Sequence, residues 1–149
     1  MMSWKKGRGK LGILAPLLGQ WRVETKSDLG KVICTRNFSR VLDGKYVRLE
    51  ANWQIGSDKS YDEISMIGVD KDKQIKFWSF TSDGKNSHGV LAEVRDLHPL
   101  AIGFEAQMEA GLARMAYWPD ETAGFHWVVE SKSKKGWNRF VAHHYLPML

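Results

Sequence analysis

From residue 19 onwards, short stretches rich in Val, Ile, Thr and aromatic residues recur about every ten residues, divided by turn-forming pairs and triplets. The dividers are Asp43-Gly44, Gly56-Ser57-Asp58, Asp70-Lys71-Asp72, Asp83-Gly84, Ala110-Gly111 and Lys135-Gly136. Each sets residues that tolerate tight or left-handed backbone between runs that favour a pleated surface. The spacing predicts ten strands, over 19–25, 31–42, 45–55, 60–69, 74–82, 87–95, 101–109, 112–118, 124–132 and 137–146. A meander of that length closes on itself, because closure removes unpaired edges. The expected fold is all-β: a single up-and-down antiparallel β-barrel of about ten strands, with the apolar run LGILAPLLG as a short helix closing one end.

Loop parity then assigns faces, since opposed residues of an antiparallel pair share a face and the face alternates along a strand. An even loop at Asp83-Gly84 puts Phe77 with His88, Val90 and Ala92. Even loops around Lys71-Asp72 and Ser57-Asp58 add Ile64 and Met66, then Leu49, Ala51 and Trp53. Beyond Pro99 the apolar face is Ile102, Phe104, Ala106 and Met108, and the Ala110-Gly111 turn joins Met115 and Tyr117 to it. The last hairpin sets Phe125, Trp127 and Val129 beside Phe140, Ala142 and His144. This nearly continuous apolar face is the expected lumen. Its candidate ligand-binding residues are Leu49, Trp53, Met66, Phe77, His88, Phe104, Met115, Tyr117, Trp127, Phe140 and His144.

Strand two stays open. A two-residue Asp43-Gly44 turn points Cys34, Arg36, Phe38 and Arg40 inwards; a three-residue turn points Thr35, Asn37, Ser39 and Val41 inwards instead. An inward arginine implies an anionic ligand head group. The outward, solvated arginine is the favoured expectation, because burying an isolated charge is costly.

Seven Trp, six Phe and four Tyr in 149 residues reinforce the β reading. The net charge of +5 is concentrated in an acid-free basic tail, residues 1–10, through Lys5, Lys6, Arg8 and Lys10. The domain proper, 11–149, is close to balanced, which argues against a nucleic-acid partner. Cys34 is the only cysteine, so an intramolecular disulfide and a multi-cysteine zinc site are excluded. With no A-x-A-like cleavage site after the first apolar run, the expectation is a cytoplasmic protein, and no segment is apolar for long enough to span a membrane. By the same parity Trp78, Phe80 and Leu91 lie outside, a patch that predicts a homodimer.

Gly19-x-Trp21 behind a short apolar helix resembles the lipocalin signature of the calycin superfamily, and Arg139 in WNRF stands where calycins carry a basic residue over that Trp. LAPLLGQW, FSRVLDGKYVRLE and ISMIGVDKDKQIKFWSFTSDG resemble bacterial lipocalin-like domains over nearly the whole chain. A more distant similarity is to fatty-acid-binding proteins, whose Arg-x-Tyr clamp is absent here, and to the nitrobindins. The nitrobindin resemblance implies haem held by a histidine of the last strand, matched by His144, with a second histidine at His88; the glycine-rich run after the Trp is replaced by RVETKS. The calycin resemblance implies Trp21 and Arg139 packed together at the closed end.

The sequence carries no P-loop, GxGxxG, HExxH or GxSxG and no recognisable metal-ligand spacing, so catalysis has no local signature. Asp62-Glu63 and Asp120-Glu121 are adjacent carboxylates, which point to opposite faces on a strand and are solvated near a turn. His98, His126 and His143 are expected outside, His88 and His144 inside. A barrel of this strand number encloses more space than side chains fill. The reading is a binding module for a small apolar or amphipathic molecule, needing no cofactor, with a haem protein as the alternative.

Overall fold

The computed structural model describes residues 4–148, so the first three residues of the basic tail lie outside the described residues. Ten antiparallel strands form a closed up-and-down barrel: β1 (Gly19–Ser27), β2 (Gly30–Val41), β3 (Tyr46–Ile55), β4 (Lys59–Val69), β5 (Ile75–Thr81), β6 (Asn86–Ala92), β7 (Ile102–Met108), β8 (Gly111–Pro119), β9 (Phe125–Ser133) and β10 (Gly136–Pro147). Every strand boundary lies within three residues of the sequence expectation. The ring is sealed lightly, since β1 pairs with β10 only at Trp21↔Pro147 and Arg22↔Leu146.

A 3-10 helix, Gly12–Leu17, caps one end, with Leu14 and Leu17 fully buried. Trp21 sits beneath it, its indole N–H donating to the Leu17 carbonyl at 2.8 Å and its ring edge-on to Phe125. Trp4 docks at the same end, donating to the Leu100 carbonyl at 3.0 Å. No helix among the described residues is long and apolar enough to cross a membrane.

Several faces differ from the parity expectation, each for a local reason. The β3–β4 connection holds three residues between Ile55 and Lys59, an odd number, so Ile64 and Met66 face outwards and Tyr61, Glu63, Ser65 and Ile67 face in. The β4–β5 connection is also odd, five residues between Val69 and Ile75, which returns Phe77 to the lumen. At β5–β6, Asp83 Oδ1 accepts from the Lys85 N–H and the Thr81 hydroxyl, and Gly84 takes a φ of +84°. Those bonds make a three-residue loop with a left-handed glycine. Phe77 then pairs with Gly89, so His88, Val90 and Ala92 face out and Leu91, expected outside, packs into the core. In β10 the two-residue turn is as expected, but a bulge between Arg139 and Val141 absorbs Phe140 as an extra residue. Val141, His143 and Tyr145 therefore face inwards, Phe140 is 63% exposed and His144 is on the outer surface.

Arg139 does not pack on Trp21. It lies beside the last hairpin, at the barrel end opposite Trp21, where its Nε donates to Glu130 at 3.0 Å. Glu130 is buried on the outer face, bonded also to Arg114, which makes a bidentate pair with Asp96. Those charges are covered by the β6–β7 connection, whose Val94 and Leu97 pack against Ala116 and Val128.

Candidate functional site

The interior holds an aromatic cavity of about 320 Å³ towards the uncapped end, lined by Trp53, Tyr61, Phe77, Phe104, Met115, Trp127 and Val129, with Glu63 at its wall. Of the residues expected in the lumen, Trp53, Phe77, Phe104, Met115 and Trp127 line this cavity, while Leu49 and Tyr117 are buried on the same inner face, closer to the cap. Met66, His88 and His144 are on the outer face, and Phe140 touches the cavity only from its bulge at the rim. A groove of about 470 Å³ outside the barrel, between residues 4–16 and 91–103, lacks this aromatic enclosure.

Below the cavity lies a layer of polar groups that periodicity did not assign. Four residues connect Val41 to Tyr46, an even number with left-handed φ at Leu42, Asp43 and Gly44, so Phe38 opposes Leu49 and Arg36 opposes Ala51 on the inner face. The outward expectation for Arg36 is thereby corrected. Arg36 is 1% exposed. Its guanidinium lies 4.4 Å from the Trp127 ring centroid and near the rings of Tyr117, Tyr145 and Phe38. Nη2 donates to the Tyr117 hydroxyl at 2.6 Å, while Nε and Nη1 have no hydrogen-bond partner among the described residues. Guanidinium keeps its proton in any protein environment, so this is a buried positive charge.

Of the groups around it, Glu63 carries a negative charge that acts on the guanidinium through space, and the others are neutral or donate. Burial pushes the Tyr117 and Tyr145 hydroxyls up, away from ionisation. Burial first, and the Arg36 charge second, hold the His143 imidazole below its ordinary range, favouring the neutral ring. The Tyr145 hydroxyl, the Trp127 indole N–H and His143 Nδ1 are buried beside Arg36 without partners among the described residues. Cys34, two residues along β2, is fully buried, and burial pushes its thiol up. Glu63 is the carboxylate of this inner face and accepts from the Ser79 hydroxyl, not from Arg36. Buried polar groups are normally paired, so several unpaired atoms converging on one charge are a site that can take a hydrogen-bonding partner.

The two histidines that the nitrobindin resemblance names do not fit haem in the lumen. His88 and His144, which the nitrobindin resemblance named, face away from the lumen. His143 faces in, but its ring packs among Trp53, Trp127 and Tyr145 and does not line the cavity.

Parity could not have found this layer, because Val141, His143 and Tyr145 are as apolar as the alternate set Phe140, Ala142 and His144. Turn length was the missing signal at Arg36 and the bulge was the missing signal in β10. The closed antiparallel barrel is the architecture that the calycin resemblance implies. No family model and no curated protein sequence matches the chain, so the resemblance stands on fold alone.

Proposed function

We propose that this barrel binds a small amphipathic molecule, its apolar body in the aromatic cavity and an acidic head in the polar layer at Arg36. The observation that carries the reading is the buried guanidinium with two unpaired nitrogens, Nε and Nη1. Burying an ion whose nearest carboxylate, Glu63, acts only through space and is not hydrogen-bonded to it costs several kcal/mol, by order of magnitude, and a directly bound anion offsets that cost. Tyr117, Tyr145 and Trp127 supply further hydrogen-bonding groups around the same point. Trp127 joins the two halves, since it lines the cavity and stacks on Arg36.

The cavity lies at the low end of the roughly 300–1,000 Å³ typical of small-molecule sites, which suits a medium-chain or one- to two-ring ligand. Affinity would come from desolvated aromatic surface and orientation from the arginine, as in a carrier or sensor module. The test is a titration with octanoate, decanoate and benzoate, read by intrinsic tryptophan fluorescence. A saturable change that Trp127→Phe diminishes is expected, because Trp127 lies between body and head. No saturable change with any of the three, in folded protein, would contradict the proposal.

A further inference from the structure

On the outer surface, away from the lumen, one carboxylate and two imidazoles converge. Asp120 opens the β8–β9 connection, while His126 and His144 are cross-strand neighbours on β9 and β10. Their ligand atoms all lie within 4.8 Å of one another. Asp120 Oδ1 is 2.8 Å from His126 Nε2 and 3.8 Å from His144 Nε2. Sequence spacing gave no sign of this group, because the inward reading of His144 separated it from His126.

The local structure holds the three in place. Asp120 Oδ2 accepts from the backbone N–H groups of Thr122 and Ala123, which turns Oδ1 towards the imidazoles. Gly124 lets the connection close onto β10: its φ is +72°, and a Cβ there would lie 1.9 Å from the Tyr145 carbonyl oxygen. The His126 ring is tilted against Trp118 on one side and stacked on His144 at 4.7 Å on the other, which fixes both ring planes.

We propose that Asp120 Oδ1, His126 Nε2 and His144 Nε2 form a binding site for a divalent transition-metal ion of the zinc type. Two imidazoles and one carboxylate suit zinc, cobalt, nickel or copper and disfavour magnesium and calcium, which prefer all-oxygen shells. Zinc takes such ligands at about 2.0–2.2 Å, which sets ligand atoms of a tetrahedral site about 3.4 Å apart. The observed 2.8 and 3.8 Å straddle that separation, so small side-chain rotations complete the set. All three side chains are partly exposed, which leaves the remaining coordination to water. In the structure His144 Nε2 lies 2.8 Å from the Ala123 carbonyl, to which it donates. His126 Nε2 likewise donates to Asp120 Oδ1, so on ligation both rings give up these bonds, each Nε2 lone pair takes the ion and each Nδ1 carries the ring proton.

The test is calorimetric titration of the untagged, full chain with zinc chloride, with cobalt(II) absorption as a second probe. One ion per chain is expected. His126→Gln, His144→Gln and Asp120→Asn should each weaken binding at least about tenfold, the low end of what even outer-shell changes cost at metal sites. His88→Gln, a residue of the opposite wall, should leave it unchanged. Imidazole 15N shifts in the wild type give a reading free of variants: of the five histidines, only His126 and His144 should move on adding zinc. The absence of saturable binding, or shifts centred on other histidines, or undiminished binding in both His126→Gln and His144→Gln, would overturn the proposal.

Discussion

Replacing Arg36 by methionine separates a ligand-facing arginine from a structural one. The side chain is 1% exposed, with Nε and Nη1 unpaired. Its removal relieves two buried, unsatisfied donors, at about 1–3 kcal/mol each. Against this stand a charge-assisted bond to Tyr117, about 1.5–3 kcal/mol, and stacking on Trp127, about 2 kcal/mol for a desolvated pair. These terms nearly cancel, and a buried charge without a hydrogen-bonded counter-ion is itself costly to hold. Arg36→Met without ligand is therefore expected to be as stable as the wild type or more so. Arg36→Met/Tyr117→Phe, which strands no hydroxyl, should be more stable still. The assay is urea denaturation combined with thermal unfolding. For a chain of this length about 1 kcal/mol moves the midpoint by roughly 2–4 °C. A fall of more than about 12 °C would mean a loss of at least about 3 kcal/mol, the cost of breaking a satisfied buried ion network, and would show Arg36 to be structural.

Trp21→Ala removes a buried indole and its bond to Leu17 at the capped end, and should cost about 3–5 kcal/mol by urea denaturation. A loss below about 1 kcal/mol would place Trp21 among exposed residues. Glu130→Ala leaves Arg114 buried with Asp96 as its remaining carboxylate, so a loss of about 2–3 kcal/mol is expected, short of the full cost of stranding an ion. A neutral result would contradict that network. Ile64, Met66, Trp78 and Phe80 form the outer apolar patch, with Phe80 58% exposed. If the homodimer expected from the sequence uses it, Phe80→Asp yields monomer by sedimentation velocity in the micromolar range, and a monomeric wild type would end that expectation.

The fold was legible because its signals are local. Turn residues recur at regular spacing, and each strand between them carries β-formers, so number, order and boundaries of the strands follow from neighbouring residues. Which face each strand presents is less local, since it depends on the parity of every connection. Two odd loops, at 56–58 and between Val69 and Ile75, inverted β4 and then restored β5, which is why Phe77 was placed correctly and Met66 was not. The Phe140 bulge inverted most of β10, where both faces are equally apolar, and so moved His144 outwards and Tyr145 inwards. Arg36 ran against the rule that isolated charges stay in water. Departures of that kind mark functional or strained positions, which makes the least legible inward residue the most informative one.

Whether Arg36 reads an acidic head inside the barrel is decided by comparing decanoate with decanol, which share a chain and differ in charge. Calorimetric titration of the wild type should show decanoate binding at least about tenfold tighter, the value of one charge-assisted hydrogen bond. In Arg36→Met that preference should vanish while decanol affinity holds. Equal affinities in the wild type, or an undiminished preference in Arg36→Met, would contradict the account.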